Sequence, residues 1–139
     1  MREASKRAMA ELLLGCRPGE HTLVAAATDS SALGVLDAVR EAGLEENFAI
    51  VGQDCIPEVM EEMRRGTSAI VGSISHEPET YGPRLIQLGI AILRGYTVPP
   101  YNYVHHKAVT PETLGDEAKA HKAKHEDEAL VGQGVGSRE

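Results

Sequence analysis

Apolar positions along this chain alternate between two spacings. Ala4, Ala8 and Leu12, with Met9 and Leu13 beside them, recur at helical spacing, and Gly15 stands where that helix should end. After the turn residues Arg17-Pro18-Gly19, the continuous run Thr22 to Ala27 reads as a buried strand. Asp29, Ser30 and Ser31 then offer N-caps to a helix whose inner face carries Ala32, Val35, Leu36 and Val39, with Gly43 at its left-handed stop.

The same cycle returns twice. Phe48 to Gly52 is a second buried strand, followed by a helix that Pro57 opens and Gly66 closes. Ala69 to Ser73 is a third strand, and Pro78 begins a longer helix through Leu85, Leu88 and Ile92 that Gly95 ends. Tyr101 to Val104 reads as a final, more exposed strand. Short apolar strands separated by helices specify an α/β fold, a parallel sheet flanked by helices in three layers and joined by right-handed crossovers. The packed unit is expected over residues 1–110. Residues 111–139, rich in Ala, Lys, His, Glu and Asp and ending in a Gly-rich stretch, lack a broad apolar face and read as a polar helical or disordered tail.

Composition narrows the chemistry. At 139 residues, 42% of them hydrophobic, the chain can bury one core, and with aromatics at only 4% that core must be aliphatic. The net charge of -7 and the absence of a basic stripe argue against nucleic acid as a partner. The amphipathic start of the chain is not a secretory signal, and no apolar run is long enough to span a bilayer. Cys16 and Cys55 read as two unpaired small hydrophobes.

In open parallel sheets ligands bind beyond the carboxyl ends of the strands. Those ends read Thr28-Asp29, Gln53-Asp54 and Ser75-His76. An Asp there can accept two hydroxyl hydrogen bonds from a small polar ligand. Asp29 directly precedes a helix and is read as its N-cap or a minor contact; Asp54 stands further from its helix, so capping explains it less well. By spacing alone, His76 is a loop histidine.

Two strand-end carboxylates also suit a metal-dependent phosphoryl-transfer enzyme. That chemistry wants a later strand-end Lys, and none occurs between Lys6 and Lys107. A phosphate loop and a nucleophile elbow are both missing, and Gly132-x-Gly134-x-Gly136 is far from any strand-to-helix turn. Glu117, His121 and His125 share a helical spacing compatible with zinc, yet read as a solvated charged face. His105 and His106, adjacent on the expected strand, would point to opposite sides. No catalytic residue, metal or cofactor is expected.

Thr28-Asp29-Ser30-Ser31-Ala32-Leu33-Gly34 resembles the (N/T)D-x-x-A-x-G segment of periplasmic sugar-binding proteins and lactose-repressor-type regulators. Ala42-Gly43 followed by Ile50-Val51-Gly52-Gln53-Asp54 is similar to their A-G…V-G-x-D segment. Pro78 to Gly82, Leu93-Arg94-Gly95, Val98-Pro99-Pro100 and Val109-Thr110 continue the order, so that the likeness runs from about Leu12 to Leu114.

The resemblance implies a type 1 periplasmic-binding-protein fold, of which this chain carries part of the C-terminal lobe and the last interlobe crossing. It implies sugar hydroxyls bound by Asp54, with Gln53 beside it, His76 near the crossing and Thr28 where the family has a contacting Asn or Asp. The helix from Pro78 to Arg94 would belong to the opposite lobe. The implied function is non-catalytic sugar binding as the C-terminal fragment of an ABC transporter's substrate-binding component, periplasmic or extracellular, with a permease as partner of the full-length protein. The alternative is the effector-binding part of a cytoplasmic regulator; the form of Pro78 to Gly82 leans to transport. With sheet edge and helix faces left open, self-association is expected.

Overall fold

The computed structural model describes residues 1–17 and 19–115. Glu117, His121, His125 and the glycines at 132, 134 and 136 lie outside the described residues. Helix α1 (Arg2–Leu13) precedes strand β1 (Thr22–Ala25), helix α2 (Asp29–Glu41), strand β2 (Phe48–Gln53), helix α3 (Pro57–Arg65), strand β3 (Ile70–Ser75), helix α4 (Tyr81–Leu93) and strand β4 (Lys107–Val109). The strands form one sheet in the order β1-β2-β3-β4. The first three are parallel, and β4 runs antiparallel to β3.

The α/β class and the helix-flanked, mostly parallel sheet match the alternating pattern. Breakers act where the pattern places them: Pro57 lies in the first turn of α3, and Gly43 and Gly66 take left-handed conformations just past α2 and α3. Pro78 differs, opening a short 3-10 turn over Pro78–Thr80 before α4 begins at Tyr81.

The expected strand at Tyr101 to Val104 is not formed; pairing starts at Lys107. β3 ends at Ser75, the partner of Lys107, so residues before 107 run past the end of the sheet with no backbone to pair with. Pro99 and Pro100 also lack donors. This strap is instead organised locally by Asn102 Nδ2 donating to Pro99 O (3.0 Å) and by stacking of Tyr101 on Tyr103. His105 and His106 therefore do not alternate on a strand.

Helices α2 and α3 both connect neighbouring strands in the same direction, so right-handed crossovers place them on one face of the sheet. Leu36 and Val39 of α2, Val59 and Met63 of α3, Ile50, Ile70 and Val109 of the strands, and Met9 of α1 make one core with Leu114. The other face is less covered than a buried-strand reading requires. Exposure alternates along β1, and Leu23 is 70% exposed. Helix α4 contributes no buried residue at all.

Two features seat α1 on α2. A Cβ at Gly34 would overlap Arg2 O and Ser5 Oγ, so only glycine lets the two helices cross this closely. The Arg2 guanidinium then reaches Asp37 through two bonds (2.7 and 3.0 Å) and Glu58 of α3 (2.6 Å). At the far end of α2, Arg40 bridges Glu45 (2.9 Å) and Glu62 (2.7 Å), tying α2 to α3. Gly34→Ala is expected to lower stability by ~1–3 kcal/mol by forcing α1 outward, read as a lower urea midpoint.

The hydrogen bond from Arg40 holds the Glu62 carboxyl below its ordinary value of 4.5, and Arg2 does the same for Asp37. A depressed carboxylate adds stability above its unfolded pKa and loses it as pH falls through the folded one. The stability gap between the wild type and Glu62→Gln should therefore be full at neutral pH. It should shrink on acidification below the ordinary carboxylate range, as measured by denaturant melts in a pH series.

Candidate functional site

The turn leaving β2 is built around one buried carboxylate. Asp29, at the first position of α2, is 0% exposed. Its Oδ1 accepts from Ser73 Oγ of β3 (2.7 Å) and its Oδ2 from Ile56 N (2.8 Å). Ser73 Oγ in turn accepts from Cys55 N (3.2 Å), and Asp54 N donates to Ile74 O (2.9 Å). Gly52 is required beneath this carboxylate, because a Cβ there would overlap Asp29 Oδ1.

The same bonds fix an unusual backbone. Asp54 has φ 119° and Cys55 φ 55°, left-handed values that non-glycine residues adopt at a cost of ~1–3 kcal/mol each. The network from Asp29 and Ser73 over-determines the turn and aims the Asp54 side chain outward.

Asp29 is consequently not the N-cap of α2. Thr28 is, with extended backbone and its Oγ1 accepting from Ser31 N (3.3 Å). Both carboxylate oxygens of Asp29 are engaged inside the protein, by Ser73 and Ile56. Thr28 is half-buried, and its hydroxyl serves the cap and Ser31 Oγ.

Three of the other candidates converge. Register sets Gln53 of β2 beside Ile74 of β3, which brings the following residues, Asp54 and His76, within reach. His76 Nε2 lies 2.9 Å from Gln53 Nε2 and 3.1 Å from Asp54 Oδ1. One nitrogen cannot accept from the Gln53 amide and donate to Asp54 at once. The cluster therefore has two bonding states: neutral His76 accepting from Gln53, or an Nε2–H donating to Asp54. Asp54 Oδ2 has no hydrogen bond among the described residues. Thr28 is not hydrogen-bonded to this cluster.

The sequence reading missed His106. Its ring meets that of His76 edge-on, with centroids 5.0 Å apart. Placing the last strand too early hid this pair, since His106 immediately precedes the true start of β4. The cluster is an open ledge. The groove of about 620 Å³ in this molecule lies elsewhere, between α4 and the strap, lined by Tyr81, Leu85, Leu88, Tyr101 and Tyr103 among others. Among the described residues no group of three or more His, Cys, Asp or Glu is arranged to hold a metal ion.

Residues 1–97 match the sequence model of a family described as periplasmic binding protein domain. No curated protein matches the chain in sequence. Solved structures with the same fold include an ABC transporter solute-binding protein from Agrobacterium vitis with bound allitol (22% identity, TM-score 0.76), over 86% of this chain and 41% of that one. Another comes from Actinobacillus succinogenes, with bound D-allose (23% identity, TM-score 0.70), over 83% and 40%. A third is the binding component of the arabinose ABC transporter from Shewanella sp. ANA-3, bound to α- and β-L-arabinofuranose (22% identity, TM-score 0.69), over 100% and 45%. The chain thus spans less than half the length of these proteins.

Removing the central carboxylate tests the architecture. Asp29→Ala is expected to cost ~2–4 kcal/mol, because the buried Ile56 N–H and Ser73 Oγ both lose their acceptor. Amide exchange should rise first at residues 54–56.

Proposed function

The chain belongs to the periplasmic binding protein domain family, and from that premise we propose that it supplies one wall of a sugar-binding site without doing covalent chemistry. The observation that carries this reading is the outward-facing Asp54, set on a strained turn at a strand's carboxyl end, with His76 and Gln53 bonded beside it. An Asp carboxyl whose Oδ2 has no hydrogen bond among the described residues can accept hydrogen bonds from two neighbouring hydroxyls of one sugar ring. Gln53 and His76 add directional donors and acceptors that discriminate one hydroxyl arrangement from another. Thr28 caps α2 at the end of the neighbouring strand, its hydroxyl bonded to Ser31.

The site works as half of a cleft. Its ledge is open, and the related structures with bound sugars are more than twice as long as this chain. In a full-length protein the opposite wall would come from a second lobe, and closure of the two around the ligand would exclude water. The whole would serve as the periplasmic substrate-binding component of a sugar ABC transporter and hand its ligand to a permease. The transporter reading is preferred to a regulator because the solved structures of this fold named above are ABC transporter binding proteins.

Half of a site retains few contacts, so the chain alone should bind only weakly, with a Kd on the order of millimolar. Titration with D-allose, allitol or L-arabinose, followed by amide resonances, should shift residues 53–56 and 75–77. Asp54→Ala should abolish those shifts. Submicromolar affinity by calorimetry would show that the chain is not half of a site, and shifts confined to other regions would move the site away from Asp54.

A further inference from the structure

We propose that His106 is a positioning residue of the sugar-gripping wall: its ring, edge-on to His76, holds the His76 imidazole with Nε2 between Gln53 and Asp54. The proposal deepens the sugar-binding reading of that wall and rests on it for its consequence. The contact itself lies within residues 53–107.

The pair follows from the sheet. Strand β4 runs antiparallel to β3, with Ala108 opposite Ile74 and Lys107 opposite Ser75. One step further in that register sets His106 opposite His76, just past the last ladder pair. Residues directly opposite in an antiparallel pair have Cβ atoms about 4.5–5.5 Å apart, so two rings there meet. The ring centroids are 5.0 Å apart and the planes cross at 76°, the edge-on arrangement that aromatic quadrupoles favour. The neighbouring His105 instead lines the groove between α4 and the strap. The strap that delivers His106 is braced from within, by Asn102 on Pro99 and by Tyr101 on Tyr103.

His76 needs such a support. Among the described residues its ring is hydrogen-bonded at Nε2 only, 2.9 Å from Gln53 Nε2 and 3.1 Å from Asp54 Oδ1. A ring held at one atom has a second orientation, because rotation about χ2 is broad and two-fold. A half-turn replaces Nε2 by the Cε1 carbon, and both contacts are lost. A second ring packed edge-on opposes that rotation and biases the orientation by roughly two- to tenfold.

The held orientation decides what the wall offers a sugar. With Nε2 unprotonated, His76 accepts from the Gln53 amide, and both Asp54 oxygens can accept hydroxyl hydrogens. A doubly protonated ring has no acceptor nitrogen, so its Nε2–H turns to Asp54 Oδ1 and the Gln53 amide loses its partner. Imidazoles as a class take up that proton between about pH 5 and 8. The other titratable groups beside the ring are Asp54 and Cys55 in the turn after β2, Glu77 next in the chain, and His106 with Lys107 where β4 begins. Sugar binding at Asp54 therefore weakens on acidification, as long as His106 keeps Nε2 in place.

Nitrogen-15 resonances of the His76 ring, together with L-arabinose titrations of the full chain, test this role. In the ligand-free wild type, His76 should show a single neutral tautomer. Affinity for L-arabinose, followed by amide shifts at residues 53–56, should fall roughly two- to tenfold from about pH 7.5 to about pH 5.5. His106→Ala should turn the His76 nitrogen shifts into those of a tautomer mixture and flatten the pH profile. His106→Phe keeps a ring against His76 without a titratable nitrogen, and should restore both the single tautomer and most of the profile. Unchanged His76 nitrogen shifts in His106→Ala would overturn the positioning role. A Phe variant that behaves like the Ala variant would also overturn it, since His106 would then act through its own nitrogens. Absence of sugar-induced shifts at every pH would instead remove the sugar reading, and the nitrogen-15 comparison would still decide whether His106 holds His76.

Discussion

The carboxylate of Asp29 is the constraint on which the binding end of this molecule depends. A fully buried carboxyl group is tolerated only where its hydrogen-bonding capacity is met, and here its two oxygens meet Ser73 Oγ and Ile56 N. Those two partners belong to different elements, so one side chain joins the start of α2, strand β3 and the entrance to α3. The carboxyl also sits in the first turn of α2, where the helix dipole favours an acidic side chain. Because Gly52 must stay bare beneath it, the same contact sets how closely α2 approaches the middle strand.

Strain at Asp54 and Cys55 makes sense only beside that clamp. Two consecutive left-handed non-glycine residues would relax in an isolated turn, and the hydrogen bonds to Cys55 N and Ile56 N keep them from doing so. The consequence is a division of labour between adjacent carboxylates. Asp29 is sealed and structural, whereas Asp54 is aimed outward with one oxygen unbonded among the described residues. The two residues look alike as strand-end acids, but their surroundings separate their uses.

That separation marks the limit of what the sequence conveys. Local rules sufficed for the α/β alternation, for the stops at Gly43 and Gly66 and for the start at Pro57, because each depends on a residue and its immediate neighbours. Whether Thr28 or Asp29 caps α2 turns on a one-residue difference in where the chain becomes helical, which propensity does not resolve. The meeting of Gln53, Asp54 and His76 depends on the register between β2 and β3, including its irregularity at Ile50 and Val51. The His76–His106 pair depends on where β4 begins, and that is decided by where β3 ends rather than by the apolar content of Tyr101 to Val104. Family resemblance, not spacing, raised His76 above an ordinary loop histidine, and the geometry puts it in contact with Asp54.

Helix α4 poses a different problem from the rest of the chain. The first three helices find their apolar partners within residues 1–75 and in the return through Val109 and Leu114, so that unit satisfies its own core. Helix α4 carries a comparable apolar face but contributes no buried residue. Hydrophobic burial is the main term that stabilises a helix of this length, since a short isolated helix is marginal in water. A strongly apolar helix that leaves side chains such as Leu85, Ile86 and Leu93 in solvent therefore forgoes most of the stabilisation its sequence encodes. Its apolar side chains call for a surface that the packed core does not provide, and this requirement is independent of the one that shapes the Asp54 turn.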